Sequence, residues 1–227
     1  AAAAALPSFA AQAPLKGNLK HSVARWTFPQ QSVAQLCQTV KDIGFAAIDL
    51  VGPADWPTLK AHGVYSSMCN GAEISLTKGF AGRQYHDALV ERYARHIDLV
   101  ADAGYRNLIC FSGNRDGMDP REGLENAEAG LKRILGHAEK RGVVLVMELL
   151  NSRVDHPDYL CDHSRGASSC ASGSDRTISA CCTTSITCRS WRATSSPPSA
   201  GITASSSTTT PQVCPVSYTH LTLPTKA

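Results

Sequence analysis

The chain of 227 residues lacks several features that mark whole classes of protein. Its formal net charge is only +3, which is too small to indicate a nucleic-acid partner. No apolar run reaches the roughly 18 residues that a membrane helix needs, so the sequence predicts no membrane span. Neither a Gly-x-Gly-x-x-Gly loop nor a Walker loop follows the first predicted strand, which argues against nucleotide binding.

The nine cysteines lack the CxxC spacing that is typical of a zinc site. Five of them fall after residue 164, and the other four are scattered at Cys37, Cys69, Cys110 and Cys161. This distribution does not predict a disulfide framework in the first part of the chain. It predicts buried core thiols, or a free thiol at the edge of a site.

Composition changes sharply after residue 164. Residues 1–164 carry 17 Lys and Arg against 18 Asp and Glu, a net charge of −1, and show the periodic apolar pattern of a globular protein. Residues 165–227 hold one acid and 26 Ser or Thr among 63 residues. Such a segment has too few large apolar side chains to offset the entropy cost of ordering it. We therefore expect the fold to lie within residues 16–164.

Two interpretations fit the Ser/Thr-rich tail. One is a disordered or O-glycosylated stalk. The other is translation in a shifted frame, because regrouping the degenerate codons of residues 180–195 gives a string compatible with LLYDIYHMQIMEGDV, and residues 202–216 give HRIIVHYHTAGVPG. Residues 216–225, VSYTHLTLPT, resemble a translated sequencing adapter. We interpret 165–215 as a frame-shifted, non-native tail and 216–227 as adapter-derived, and expect no strand from either.

Residues 1–15 are small and apolar and include an Ala-Gln-Ala triplet. This pattern is typical of the end of an export signal, although it lacks a charged n-region; a frayed Ala-rich helix is the alternative. We expect export to the periplasm, with a cytoplasmic location as the alternative.

Between these ends, short apolar runs alternate with amphipathic helices. The predicted strands are 21–26, 46–52, 64–71, 107–113 and 143–151. Strands that alternate with helices predict an α/β fold with a parallel sheet. Five such units fit either a doubly wound sheet or the first part of a (β/α)₈ barrel.

Polar residues follow successive strands, at Asn70, at 112–115, at Glu148 and at Asn151. In a barrel this edge is the active-site face. Glu148 is the main candidate, because an unpaired carboxylate in an apolar strand costs several kcal/mol to bury. A structural ion pair is the alternative explanation. The loop 151–163, rich in Asp and His, is either an ordinary solvated loop or a source of ligands for a hard divalent metal.

Other titratable residues carry weaker expectations. His21 opens the first strand at the opposite end and is expected to be structural. His86, His96 and His137 lie on predicted helices and are expected at the surface. Asp49 and Glu73, beside strands two and three, are expected to be caps or walls of a site.

Five motifs together resemble one enzyme family. They are HSVARW, IDLVGPADWPTLKAHG, MCNGAEISLTKGF, NLICFSGNRDGMD and MELLNSRVDHPDYLCDHS, in order over about residues 17–164. This set resembles the hydroxypyruvate isomerase family, a branch of the xylose-isomerase-like sugar isomerase and epimerase barrels. The regrouped strings YDIYHMQIMEG and HYHTAGVPG resemble strands six and seven of the same family.

The resemblance implies a (β/α)₈ TIM barrel with a divalent metal, Mg, Mn or similar, at its carboxyl-end face. It implies an intramolecular oxidoreductase that interconverts hydroxypyruvate and 2-hydroxy-3-oxopropanoate through an enediolate. Glu148 matches the strand-five glutamate, which binds the metal and moves the proton. Asn151 and His156 match the loop that lines the pocket, and with Asn70 we expect them to bind the small hydroxy-carbonyl substrate.

The chain also departs from the family. In the printed frame it has no counterpart of the strand-six Asp, the strand-seven ligand or the strand-eight Glu. We therefore expect about the first five β/α units of a barrel and an inactive fragment. The alternatives are a related sugar epimerase and an exported binding protein without catalysis. A DNA-repair endonuclease on the same barrel is disfavoured by the net charge of residues 1–164. An oligomer is compatible with the sequence.

Overall fold

A computed structural model describes residues 21–163 and 178–181. The expected export signal, the adapter-derived end and most of the expected frame-shifted tail lie outside these residues. The strands are β1 (Ser22–Ala24), β2 (Ala47–Val51), β3 (Tyr65–Cys69), β4 (Asn107–Cys110), β5 (Val144–Glu148) and β6 (Ile178–Cys181). The helices are α1 (Val33–Asp42), α2 (Trp56–Ala61), α3 (His86–Asp102) and α4 (Pro120–Arg141).

The strands form one parallel sheet in the order β1-β2-β3-β4-β5-β6, with a helix between each of the first five. This confirms the α/β class and the sequential βαβ order expected from the sequence. Each of β1 to β5 lies within its predicted range. Strands β3 and β4 end shortly before Asn70 and residues 112–115, and β5 ends on Glu148 itself. Because all strands run the same way, those polar segments gather at one edge of the sheet.

One expectation about the tail is wrong. Ile178–Cys181 pairs in parallel with β5, from Leu145 opposite Ile178 to Glu148 opposite Cys181. Ladder pairing uses main-chain N–H and C=O groups, which any residue except proline supplies in full. The prolines at 197 and 198 and the hydroxyl run at 205–210 come later in the chain. Strand β5 is therefore an interior strand of the described sheet.

Helix α4 sets where β5 begins. The side chain of Asp119 accepts the main-chain N–H groups of Arg121, at 2.9 Å, and Glu122, at 3.4 Å, and Pro120 opens the first turn. The helix ends at Gly142, whose φ of 69° is left-handed, as a terminating glycine permits. Strand β5 starts two residues later, so the helix end fixes the start of the strand that carries Glu148.

The core confirms the predicted helix faces. The apolar face of α3, formed by Leu89, Tyr93, Ile97 and Val100, is fully buried. The cysteines Cys37, Cys69, Cys110 and Cys161 are buried, as core thiols were expected to be. Burial raises the pKa of the Cys69 thiol to about 11, so this side chain behaves as a small apolar residue at neutral pH.

Two histidines expected at the surface are buried instead. His86 is 8% exposed, and its Nε2 lies 2.8 Å from the carbonyl oxygen of Phe80. His96 is 6% exposed and packs against Gly71 at the end of β3. Both lie three or four residues from the buried positions 89, 93 and 100, so they share the face of α3 that packs against the protein. The surface expectation did not take this spacing into account. Among the described residues, no helix is both long and apolar enough to cross a bilayer.

Candidate active site

Glu148 is the last residue of β5, and its side chain is only 5% exposed. Since side chains alternate along a strand, Glu148 shares a face of the sheet with Val144 and Val146. Its negative charge helps to raise the pKa of Cys110 and of Tyr159, although burial is the larger cause for both. The site therefore has a carboxylate in an apolar setting, where hydration is restricted and its charge acts strongly on nearby groups.

The loop after β5 is shaped by Asn151. Its side-chain oxygen accepts the N–H of Arg153 at 3.0 Å, and its carbonyl oxygen accepts the N–H of His156 at 2.9 Å. Asn151 is 6% exposed, and its two hydrogen bonds hold the fold of the loop next to Glu148. His156 is half-buried, and its ring centroid lies 6.4 Å from that of Tyr159. These two expected substrate-binding residues thus lie on one loop at the end of β5.

Asn70, the third expected substrate-binding residue, lies at the end of β3. A Cβ placed on Gly52 would lie 3.7 Å from its Oδ1. Gly52 follows β2, so the described contact of Asn70 is toward β2 rather than β5. The residue is at the predicted edge of the sheet, two strands away from β5 in the strand order.

Three loops meet at this edge, which we call the rim: residues 77–81, 111–116 and 151–163. The N–H of Ala81 donates to Ser112 O at 2.7 Å, and the N–H of Asn114 donates to Thr77 O at 2.9 Å. On the other side, the N–H of Leu160 donates to Gly113 O at 3.0 Å. Main-chain bonds therefore join the loops after β3, β4 and β5 into a continuous layer.

Two of the three acidic residues of the last loop, Asp158 and Asp162, are held within the rim. Asp158 accepts the N–H of Asp116 at 2.8 Å and lies 3.4 Å from Arg115. Asp162 accepts from the Ser152 hydroxyl at 2.5 Å. No group of three His, Cys, Asp or Glu residues that could hold a metal ion occurs in 21–163 or 178–181. The described residues supply Glu148 but do not by themselves form a metal site, and no chemical step is derived through one.

A second buried carboxylate was not recognised as such from the sequence. Asp49, expected at most as a cap or site wall, lies inside β2 and is 2% exposed. It accepts hydrogen bonds from the hydroxyls of Ser22, at 2.7 Å, and Ser67. The signal was an acid within the apolar run AIDLV, the same signal that identified Glu148 in VVLVMELL.

Solved structures with the same architecture define the fold class. The chain superposes over 71% of its length on AP endonuclease family 2 from Brucella melitensis, with a TM-score of 0.60, 18% identity and 67% of that chain covered. D-psicose 3-epimerase in the presence of D-fructose gives a TM-score of 0.56 at 13% identity, with 71% and 62% covered. The IOLI protein with a bound zinc atom gives 0.58 at 12% identity, with 71% and 62% covered.

These similarities show a TIM-barrel fold of which the described strands form part. At such identities they show the fold alone, and the chain spans about 62–67% of the length of these three structures. No protein-family profile and no curated protein sequence matches the chain. Several of the similar structures are sugar epimerases or isomerases by name, including 3-keto-D-glucoside 4-epimerase from E. coli.

Proposed function

We propose that the chain derives from an intramolecular oxidoreductase that interconverts hydroxypyruvate and 2-hydroxy-3-oxopropanoate. The observation that carries this proposal is Glu148, a buried carboxylate at the carboxyl end of an apolar parallel strand. That edge is the catalytic face of TIM barrels. The order of motifs in the sequence supports this substrate over other members of the fold class.

The proposed step needs a single base that can move a proton between neighbouring carbons. Glu148 would take a proton from C3 of hydroxypyruvate, leaving an enediolate. The proton of the C3 hydroxyl would pass to the C2 oxygen, and Glu148 would return its own proton to C2. The C3 hydroxyl carbon becomes the aldehyde and the C2 carbonyl becomes a hydroxyl, so no external oxidant or reductant is needed. A carboxylate in a restricted, apolar setting suits this task, since such surroundings favour proton transfer over hydration of the charge.

Around that carboxylate, His156 and Asn151 would face the polar end of the substrate. Their loop leaves the sheet directly after Glu148, so a molecule next to the carboxylate lies against it. Asn70 would contact the substrate only if the molecule extends toward β3. The expected partner is thus a small hydroxy-carbonyl molecule. We expect no nucleic-acid partner, because residues 1–164 carry a net charge of −1 and so no excess of basic side chains.

The expected divalent metal requires ligands outside the described residues. Glu148 is the described carboxylate that is placed to be one of them. For the same reason we expect the 227-residue chain itself to be inactive, because one carboxylate cannot replace a complete ligand set. A Mn²⁺ titration of this chain, followed by electron paramagnetic resonance, should find no stoichiometric site. Stoichiometric Mn²⁺ binding would contradict this expectation.

The activity is tested on a chain whose frame is restored after residue 164. It should isomerise hydroxypyruvate, and Glu148→Gln should lower kcat about 10³-fold, the range of a lost general base. Asp49→Asn is the matched control, since it makes the same acid-to-amide change at the other buried carboxylate and should keep most of the turnover. A Glu148→Gln variant with unchanged kcat would contradict the proposal.

A sugar 3- or 4-epimerase is the second candidate, because the fold is shared with enzymes of that name. Epimerisation next to a carbonyl uses the same proton transfer, so the assay should include D-fructose and D-psicose beside hydroxypyruvate. Faster turnover of either sugar would select the epimerase. A protein that binds these molecules without converting them would be the non-catalytic alternative.

We also propose export, on the Ala-rich start of the sequence. Fractionation of cells that express the full gene should find the protein outside the cytoplasm and without residues 1–13. A cytoplasmic protein that still carries those residues would contradict export.

A further inference from the structure

The hydroxyl of Tyr159 lies between the ends of β4 and β5. It accepts the N–H of Ser112 at 3.1 Å and donates to the main-chain oxygen of Glu148 at 3.1 Å. Tyr159 is 2% exposed, so solvent does not compete for either bond. Both strand ends are thereby attached to one side-chain atom.

The position of this hydroxyl follows from the register of the two strands. The ladder pairs Asn107 with Val144 and continues to Cys110 opposite Met147. Continued by one residue, a parallel ladder would join the N–H of Ser112 to the oxygen of Glu148. These are the two groups that Tyr159 contacts. The side chain therefore replaces one ladder bond and lets β4 and β5 separate at Glu148, the last residue of β5.

Tyr159 is itself held firmly. Its main chain forms an antiparallel bridge with Asn114, and the next two residues donate N–H bonds to Gly113 O and to the Ser112 hydroxyl, each at 3.0 Å. Burial raises the pKa of Tyr159 well above its ordinary value, so the hydroxyl keeps its proton and can donate at any working pH. The donor is fixed in place and in protonation state.

We propose that Tyr159 is a positioning residue that holds the peptide of Glu148 at the opening between β4 and β5. It does not touch the reacting atoms. It acts through the main chain of Glu148, whose Cα placement sets where the carboxylate points. The inference rests on the proposed role of Glu148.

Tyr93 supplies a matched control. It is also fully buried, and its hydroxyl donates to the main-chain oxygen of Ile109, on β4, at 3.0 Å. Tyr93→Phe and Tyr159→Phe each remove one oxygen and one bond to a strand carbonyl. Only the second change affects the main chain of Glu148.

The first test uses the 227-residue chain and nuclear magnetic resonance. In Tyr159→Phe, the amide of Ser112 should lose protection from hydrogen exchange, and the carbonyl resonance of Glu148 should shift. In Tyr93→Phe, the carbonyl of Ile109 should shift while the signals of Ser112 and Glu148 stay unchanged. Unchanged Ser112 exchange and Glu148 carbonyl in Tyr159→Phe would overturn the inference, whatever the chain's activity.

The second test uses turnover by the frame-restored chain. Tyr159→Phe should lower kcat about tenfold or more with KM little changed, because small misplacements of a catalytic group are costly. Tyr93→Phe should keep kcat. Equal kcat in the two variants would overturn the inference. No turnover by the frame-restored chain without a substitution would instead refute the proposed function. The resonance measurements on the 227-residue chain would then be the test of the role of Tyr159.

Discussion

Two buried carboxylates of one sheet have different surroundings. Asp49 lies within β2 and accepts bonds from serine hydroxyls on the two neighbouring strands. Glu148 ends β5, where the chain passes into the rim. Their exposures, 2% and 5%, are nearly equal, so burial does not distinguish them. Position along the strand does: Asp49 lies in the middle of β2, while Glu148 is the last residue of β5, where the rim begins.

The free-energy cost of burying a carboxylate also depends on its surroundings. A carboxylate within a sheet is stable only if hydrogen bonds replace its lost water, and Ser22 and Ser67 do this for Asp49. We therefore interpret Asp49 as a structural residue that ties β1, β2 and β3 together. Glu148 is the candidate for chemistry because it ends its strand, and the loop that follows it carries polar side chains such as Asn151 and His156.

The largest expected effect on stability is at Asp49. Asp49→Ala should lower the free energy of unfolding by about 3 kcal/mol, because it removes two hydrogen bonds and leaves two buried hydroxyls without an acceptor. Glu148→Gln should change it by less, because glutamine keeps the size of the side chain and one hydrogen-bonding oxygen, whereas Asp49→Ala removes the whole carboxylate. Urea unfolding of both variants measures this. A larger loss of unfolding free energy in Glu148→Gln than in Asp49→Ala would contradict the assignment of Asp49 as the structural residue.

A somewhat smaller effect is expected in the rim. A Cβ on Gly79 would overlap the carbonyl oxygen of Phe111 and lie 2.5 Å from the nitrogen of Gly113. Gly79→Ala should therefore cost about 2 kcal/mol, the range for overpacking against rigid main chain.

Gly136 in α4 is the control for that change. It is exposed, and a Cβ there meets no atom within 4 Å. Gly136→Ala should raise the free energy of unfolding by up to about 1 kcal/mol, because alanine favours helix. Thermal melts of both variants provide the measurement. Equal melting temperatures of Gly79→Ala and Gly136→Ala would show that the rim accommodates the extra methyl group and does not hold the loops rigidly.

The smallest expected effect concerns the pH dependence of stability. Burial lowers the pKa of His96, helped by Arg95 and Arg92 and opposed by the charge of Glu73. The unfolded chain binds a proton at this residue near pH 6.5, and the folded chain resists it. This contribution to stability is thus complete above that pH and is lost as the pH falls below it.

The measurement is urea unfolding at several pH values. Between about pH 7.5 and 5.5, His96→Gln should lose stability less steeply than the unmodified chain. The slope with pH carries the prediction, because the substitution itself can lower stability equally at every pH. Equal slopes of unfolding free energy against pH in the two chains would show that folding does not resist protonation of His96.

Local patterns in the sequence predicted much of the fold. Apolar runs located β1 to β5, and helical spacing located the buried face of α3. The buried position of Glu148 also followed from its apolar neighbours. Each of these properties depends on residues close together in the chain, so a single sequence reveals them.

Contacts between distant segments could not be predicted in the same way. The hydroxyls of Ser22 and Ser67 meet Asp49 only after three strands have paired, and Tyr159 reaches Ser112 across 47 residues. The pairing of β6 depends on main-chain groups, which have no signature in composition. The burial of His96 follows from the closeness of Gly71, where there is no side chain to exclude it.

The central claim is that Glu148 moves a proton, and solvent exchange tests it most directly. The frame-restored chain is incubated with hydroxypyruvate in D₂O, and proton resonance follows the C3 hydrogens against a sample without protein. The proton held on the carboxyl group of Glu148 exchanges with D₂O before some of the enediolate is reprotonated at C3. The account therefore predicts that deuterium enters C3 with the unsubstituted frame-restored chain and with Asp49→Asn, but only at the background rate with Glu148→Gln. Exchange by Glu148→Gln at the rate of the unmodified chain would contradict the account.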